Sequence, residues 1–269
     1  MSPRDTVPRN LLHGAGLPGD SLWKRYRRWQ GIILVAASLV ATVWLGATNQ
    51  LILYIHPRYV VFTVIMAVIG LVLVVASFID RPDHDHGETP SALKTALSVV
   101  ATVLTLGVAV ALVVVPPATL TTATADQRVI NSVNVGSSSA TVASSSAASS
   151  GASAKFTVLD WSSLLRQTSA SSFYAGKAVD VVGFITGDKD DPANLFYLSR
   201  FVITCCAVDA QPVGVPVYLA NWKSRFKSND WVRITGQFVT NPSRSSQQTI
   251  ALIPLKTSKV KQPSDPYLY

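Results

Sequence analysis

The sequence predicts a membrane α + β protein: three N-terminal transmembrane helices, a flexible Ser/Ala-rich linker and a small C-terminal OB-like β-barrel domain. Three observations predict this class. Hydrophobic residues make up 48% of the 269 residues, with a mean hydropathy of +0.31, and the longest apolar runs lie before residue 116. A Ser/Ala-rich stretch follows these runs, and the remaining chain alternates apolar and polar residues in short segments.

The three apolar runs, 31–55, 59–79 and 96–115, are 25, 21 and 20 residues long. A helix needs about 20 residues to cross a bilayer, so each run is long enough to span. The first run is longer than the roughly 7 to 15 apolar residues of a cleavable signal peptide, which predicts a retained anchor. We therefore expect a transmembrane domain over 31–115, preceded by a basic segment at 1–30.

Basic residues directly before the first run set the expected orientation. They are Lys24, Arg25, Arg27 and Arg28. Positive residues beside a span favour the cytoplasmic side, which places the N-terminus in the cytoplasm. Three crossings then place the C-terminal domain on the extracytoplasmic side. We expect a multi-pass protein of the cell membrane, with the lipid bilayer as a partner.

Residues 116–154 show no apolar periodicity and are largely Ser and Ala after residue 136, which predicts a flexible tether. We expect residues 155–269 to fold without it. Asp160 is expected to cap a short amphipathic helix. Five strand candidates follow, at 179–185, 195–204, 213–219, 231–239 and 249–255. Short strands in this number, with Gly183 and Gly236 as positions for bulges or close approach, favour an OB-like barrel.

The net charge of +8 does not predict nucleic-acid binding. Residues 1–154 carry 10 Lys and Arg against 7 acids, and residues 155–269 carry 13 against 8, a surplus of five. Such a surplus is a mild field over a whole domain, and no run of basic residues forms a stripe that could follow a phosphate backbone. We therefore expect no nucleic-acid partner.

The short segment between the first two runs contains His56, Pro57 and Arg58. Pro57 disfavours helix at His56, so a tight hairpin is expected at the outer membrane interface. One interpretation is a plain turn with a snorkelling arginine. The other is that His56 and Arg58 contact a partner or a polar pathway, because ionisable groups at membrane depth are costly.

The segment between the second and third runs is rich in residues that bind metal ions. His84 and His86 stand among the carboxylates of Asp80, Asp83, Asp85 and Glu88. Imidazole and carboxylate suit zinc and related divalent metals. A solvated polar loop has the same composition, so a metal contact at His84 and His86 is one of two interpretations.

Two adjacent cysteines, Cys205 and Cys206, are followed by Asp209. Consecutive side chains of a strand point to opposite faces, so the two thiols can act together only where the chain leaves regular strand, as a turn near Asp209 and Pro212 allows. Three interpretations stay open: buried thiols in the core, a vicinal disulfide or redox pair, and a thiolate metal site with Asp209, for which zinc is the candidate ion.

Two segments, YIHPRY at the hairpin and RFVITCCAVDAQPVGVPV around the cysteines, resemble the bacterial permease-subunit family of the YcgQ type. In that family a membrane-anchored protein with a C-terminal domain accompanies a larger polytopic permease. The resemblance implies an accessory subunit of the bacterial cell membrane that handles metal ions such as zinc. It adds Arg200 and Gln211 to His56 and Arg58 as contacts to the partner or pathway.

Two functions are therefore expected. The first is the accessory subunit of a two-component permease, since three spans are few for a carrier built of repeats and no repeat is visible. The alternative is a stand-alone, membrane-tethered extracytoplasmic domain that binds a metal ion or another protein. An enzyme is not expected, because residues 155–269 contain no histidine and no evident pair of nucleophile and base.

Overall fold

The structure is a computed structural model that describes residues 18–76, 92–114, 119–132 and 140–269. The chain divides into two compact units. The first lies within Met1–Leu45 and Thr63–Pro116, and the second within Gly46–Phe62 and Pro117–Tyr269. The segment between the first two apolar helices therefore belongs to the same unit as the C-terminal domain.

Three helices contain the predicted apolar runs: α1, Pro18–Ala47; α2, Pro57–Ala76; and α3, Ala92–Val114. Among the described residues, α2 alone is long and apolar enough to cross a membrane by length and composition, with a mean hydropathy of 2.9. The continuous apolar stretches described in α1 and α3 are shorter, Gly31–Ala47 and Val99–Ala111. Three spans thus stay a prediction.

The first apolar run was predicted to stay helical to residue 55, and this is wrong. Helix α1 ends at Ala47, and Asn49 adopts a left-handed φ of 57°. Asparagine tolerates this conformation at a helix end, where the chain must turn. A short 3₁₀ turn, Leu51–Leu53, then leads to the hairpin and α2.

The C-terminal domain is a mixed sheet of six strands: β1, Val179–Gly187; β2, Leu195–Val202; β3, Gln211–Tyr218; β4, Trp231–Thr240; β5, Ile250–Lys259; and β6, Tyr267–Leu268. The sheet order is β1-β4-β5-β3-β2-β6, and β1 also pairs with β2. This extra pairing closes the first five strands into a ring. The five predicted strands are confirmed, and β6 was not predicted.

Two predicted glycine positions lie where the ring needs them. A Cβ at Gly183 would lie 2.6 Å from the Ser199 carbonyl oxygen, so a larger residue there would separate β1 from β2. The register of β4 against β5 shifts between Thr235 and Gly236, which is a β-bulge. Both predictions are confirmed.

A helix covers the apolar interior of the ring. This helix, α7, Val158–Gln167, buries Trp161 and Leu164 completely, and Trp161 packs on Phe238 of β4 with ring centroids 5.0 Å apart. Its N-cap is Thr157, with Asp160 at the third helical position completing a capping box. The prediction of Asp160 as the cap itself is therefore wrong by three residues. A short helix, α8, Ser171–Tyr174, follows it.

The described parts of the predicted tether, 119–132 and 140–154, are packed against the domain. They contain three short helices: α4, Thr122–Asp126; α5, Val142–Ser145; and α6, Ser150–Ser153. Ala125 is buried beside Phe184 and Phe201. Small Ser and Ala side chains let the backbone lie close to the domain, where its polar groups find partners, so low apolar content does not leave these parts free.

Asn131 shows how this segment is held. Its side-chain amide donates to the carbonyl oxygen of Gly214 in β3 and accepts from the Gly214 N–H, both at 2.9 Å. Its own N–H donates to the Pro212 carbonyl at 3.0 Å. Among the described residues, β3 pairs with β5 at a single position, Val217 with Leu252, so no strand pairs with this edge of β3 near Gly214. Asn131 occupies that edge as a neighbouring strand would.

We predict that Asn131→Gly destabilises the domain by about 1–2 kcal/mol, because two hydrogen bonds to Gly214 are lost. Glycine keeps the left-handed backbone, φ 62°, so the substitution adds no strain to the folded backbone. The measurement is thermal unfolding of the full chain in detergent. Val129→Ala, at a side chain 72% exposed in the same segment, is the control and should be neutral. Equal melting of both variants and the wild type would mean that the segment is a free tether.

Candidate metal centre

The two cysteines lie in a turn between β2 and β3. Strand β2 ends at Val202, and a 3₁₀ turn, Ala207–Asp209, follows the cysteines. The Sγ atoms of Cys205 and Cys206 are 3.6 Å apart, so both thiols lie on one side of the turn. The prediction that the chain leaves regular strand here is confirmed. Cys205 is exposed and Cys206 is half-buried, which argues against the interpretation as core thiols.

The carboxylate of Asp209 holds the turn. One oxygen, Oδ1, accepts the N–H of Thr204 at 3.1 Å, and the other, Oδ2, accepts the N–H groups of Cys205 and Cys206 at 2.7 and 3.4 Å. Partial burial by itself raises the pKa of Asp209, but the hydrogen bonds from the Cys205 thiol and from these three N–H groups lower it overall. Asp209 is therefore an anion at neutral pH.

The same carboxylate controls the nearest thiol. Hydrogen bonding to Asp209 first, and to Cys206 second, raises the pKa of Cys205 to about 12. A thiolate beside an anion is unfavourable, so Cys205 keeps its proton until a cation replaces it. The turn therefore holds Cys205 as a slowly reacting thiol, and a metal ion must displace its proton in order to bind.

The hairpin before α2 pairs with the cysteine turn. His56 N–H donates to the Cys205 carbonyl at 3.0 Å, and Ala207 N–H donates to the Tyr54 carbonyl at 2.8 Å. Between them, Ile55 and Cys206 form an isolated antiparallel bridge. Leu53 packs against the cluster of Phe184, Phe201 and their neighbours. This contact brings the predicted hairpin residues and the cysteines into one site.

His56 and Arg58 both face this site. The Nη2 atom of Arg58 donates to the Thr204 carbonyl at 3.0 Å, and His56 Nδ1 accepts the Arg58 N–H at 3.2 Å. The His56 ring packs edge-on against Tyr269, with centroids 4.8 Å apart. Burial first and Arg58 second lower the pKa of His56, against the opposing effect of Asp209. The imidazole is therefore neutral at pH 7, the form that binds metals.

Two residues of the site were missed by the sequence analysis. Arg128, from the predicted tether, donates to the Val208 carbonyl at 3.2 Å, and Tyr269 is the ring against His56. Neither lies in a motif. Their positions follow from the packing of 119–132 and from β6, which extends the chain past β2.

The expectation that Arg200 and Gln211 contact a partner stays a prediction, and the structure shows the contacts that both make within the chain. The Arg200 guanidinium donates to the carbonyl oxygens of Asp265 and Pro266, both at 2.8 Å, and of Tyr267 at 3.1 Å, which ties the C-terminal segment to β2. Gln211 is the half-buried first residue of β3, opposite Val202. His84 and His86 lie outside the described residues.

Within the described residues, one group of three metal-binding side chains converges: Cys205, Cys206 and Asp209, with ligand atoms within 4.8 Å of one another. Both cysteines are free. Adjacent Cα atoms are about 3.8 Å apart, below the 4.4–6.8 Å that disulfides usually span, so a vicinal disulfide would be strained. The geometry thus favours a dithiol that can bind a soft or borderline cation.

The fold and site define a class: apolar helices joined to a closed-ring β domain that carries a vicinal dithiol turn. Residues 30–131 match the DUF1980 N-terminal domain, and residues 155–269 match the DUF1980 C-terminal domain. The chain therefore carries both domains of the DUF1980 family. No curated protein and no solved structure matches it.

We predict that Cys205 reacts at least about tenfold more slowly with iodoacetamide at pH 8 than a free cysteine does, because its raised pKa leaves little thiolate. Asp209→Asn should speed the reaction, since removal of the anion lowers the thiol pKa. Labelling followed by peptide mass spectrometry measures each cysteine separately. Asp230→Asn, at a carboxylate paired with Lys259, is the control and should leave the rate unchanged.

We also predict that Arg200→Lys destabilises the domain by about 2–4 kcal/mol, because a lysine cannot reach the three carbonyl oxygens together. Arg233→Lys is the matched control. Arg233 is exposed and pairs with Asp180 at the surface, where solvent screening leaves a salt bridge little effect on stability. Thermal unfolding in detergent measures both. Equal and small losses would mean that the C-terminal segment is not anchored through Arg200.

Proposed function

We propose that this protein is the accessory subunit of a two-component membrane permease, and that its extracytoplasmic domain presents a metal ion, with zinc as the favoured cargo, to a larger polytopic partner. The pairing of the hairpin with the cysteine turn carries the proposal. It joins the candidate metal ligands directly to His56, the residue before α2, which begins at Pro57. A cargo held there lies beside the start of a helix whose composition suits a membrane.

The same contact supports the three predicted spans. If α2 crosses the membrane, the chain must return before residue 119, because the hairpin and the cysteine turn lie in one compact unit. Helix α3 is the described helix that lies between α2 and residue 119 in the sequence. Its 23 residues are about 34 Å long, which is enough to cross a hydrocarbon core about 30 Å thick. Crossings by both α2 and α3 fit this requirement. The basic residues before the first run favour a further crossing by α1 and a cytoplasmic N-terminus.

The ring order β1-β2-β3-β5-β4 supports an OB-like barrel in the C-terminal domain. A fold does not define a function, and barrels of this kind bind many ligands. Two features argue against a nucleic-acid ligand here. The surplus of positive charge is small, and part of β3 is covered by Asn131 and its neighbours.

The resemblance of the hairpin and the cysteine segment to YcgQ-type permease subunits supports the accessory role. The residues of that resemblance include His56, Cys205 and Asp209, which lie together in the structure. A non-catalytic role agrees with their chemistry, because a slow thiol and a neutral imidazole suit ion exchange. The alternative is a stand-alone tethered domain that captures metal for itself. It is favoured by the accessible thiols, which need no partner to bind an ion.

Purification of the tagged chain from native membranes separates these two functions. We expect a polytopic membrane protein to co-purify, identified by mass spectrometry, and metal in stoichiometric amount by elemental analysis. The Cys205→Ala, Cys206→Ala variant should retain the partner and lose the metal, because the ligands are removed and the fold is kept. Metal without any partner would favour the stand-alone domain. A partner with unchanged metal in the variant would remove the cysteines from the function.

We predict that alkaline phosphatase fused after Tyr269 is active and that green fluorescent protein at the same position is dark, because the C-terminal domain lies outside the cytoplasm. The basic residues before α1 supply the orienting force. Reporter activity in intact cells is the measurement. The matched fusion before residue 18 should show the opposite pattern, and an exchange of the two patterns would reverse the topology.

A further inference from the structure

We infer that Cys205 and Cys206 form a two-thiolate chelate for a tetrahedral divalent cation, that Asp209 positions these thiolates without binding the ion, and that two coordination positions stay open for transfer. This deepens the metal-handling part of the proposed function and rests on it. The sequence pattern alone treats all three residues as equal ligands. The geometry of the turn gives the two cysteines one role, as ligands, and Asp209 another, as the residue that positions them.

The distance between the two sulfur atoms selects the coordination geometry. Zinc–thiolate bonds are about 2.3 Å long, so two sulfurs of a tetrahedral zinc ion lie about 3.8 Å apart. The observed Sγ–Sγ distance of 3.6 Å is close to this value. Linear two-coordinate binding with bonds of similar length would need about 4.6 Å. The turn therefore fits a tetrahedral ion with small movements and a linear ion only after opening.

Asp209 has little capacity left for an ion. A carboxylate offers about four lone-pair positions, and backbone N–H groups take three of them in Asp209. These N–H groups belong to Thr204 and to the two cysteines themselves, and they stay in place when the thiols lose their protons. The Asp209 carboxylate is thus fixed by its hydrogen bonds to the turn and has about one lone-pair position left for an ion.

This backbone arrangement explains how adjacent cysteines act together. In a regular strand their side chains would point to opposite faces. Here three consecutive N–H groups converge on one carboxylate, which bends the chain and brings both sulfurs to one side. When the ion enters, two sulfur–metal bonds form and the two thiol protons pass to solvent. Asp209 supplies the bend and a nearby negative charge.

The open positions follow from the count of ligands. Two thiolates fill half of a tetrahedral shell, and the exposure of Cys205 leaves the rest facing outward. Structural zinc sites have four protein ligands, whereas sites that exchange a ligand keep a position open. A chelate with two open positions can accept donors from water or from a partner. This arrangement suits transfer of the ion better than its storage.

Cobalt(II), a tetrahedral probe for zinc sites, tests the inference on the purified full chain. Thiolate-to-cobalt charge-transfer absorption reports the number of thiolates, and the intensity of the d–d bands reports tetrahedral geometry. For the wild type we expect two thiolates and tetrahedral bands. Cys205→Ala or Cys206→Ala should halve the charge-transfer intensity and weaken binding at least tenfold.

Two substitutions of Asp209 separate positioning from ligation. Asp209→Asn keeps an oxygen that accepts N–H groups, so the two-thiolate spectrum should persist with affinity within about threefold of wild type. Asp209→Ala removes the acceptor, so affinity should fall at least tenfold. If Asp209 is a ligand, Asn and Ala should lose affinity equally and the d–d bands should change in both, which would overturn the inference.

Further outcomes distinguish this inference from the proposed function. Weak octahedral bands in the wild type, or binding of copper(I) but not of cobalt(II) or zinc, would overturn the tetrahedral chelate and leave a metal function standing. Wild-type cobalt binding in the double Cys→Ala variant would overturn the chelate and remove the cysteines from the proposed function. An intact two-thiolate spectrum in a protein that co-purifies with no permease would uphold the chelate and remove the permease role.

Discussion

The carboxylate of Asp209, with the N–H groups of Thr204, Cys205 and Cys206 around it, sets the geometry on which the site depends. Those N–H groups follow the end of β2, and in the part of the chain that the structure describes their acceptor is the Asp209 side chain. One side chain satisfies all three, and in doing so it turns the two thiols to one side. It also leaves the Cys205 carbonyl and the Ala207 N–H available to pair with the hairpin. The same carboxylate therefore shapes the cysteine turn and allows the turn to bind the hairpin.

The hairpin contact gives the cysteine turn a short connection to the start of α2. Helix α2 begins one residue after His56, and His56 is bonded through its backbone to Cys205. Backbone pairing of this kind is stiffer than a side-chain contact, because it restrains the path of both chains. A change in the turn at Cys205 would therefore act on the first residues of α2 without any intermediate element.

Local patterns predicted much of the β domain. Period-two alternation located five strands, and two glycines marked the places where strands approach closely. The adjacent cysteines required a turn, which β2 and β3 provide. Contacts between distant segments could not be read in this way. The hairpin contacts the cysteines, which lie 149 residues later in the sequence. Arg200 binds backbone carbonyl oxygens, which every residue has, so no side-chain pattern marks its partners. The Ser/Ala stretch looked free because small residues bury little area, yet residues 140–154, its described part, form hydrogen bonds with the domain.

The position of Asn131 before β3 in the sequence affects how the domain is protected while it folds. A strand edge with unpaired N–H and carbonyl groups is a template for another chain, and proteins protect such edges. Here one amide side chain and one backbone N–H close the exposed part of β3 from within the same chain. The protecting residue comes earlier in the sequence than the strand it covers, so it is already synthesised when β3 appears. The edge is thus shielded against intermolecular pairing as soon as it forms.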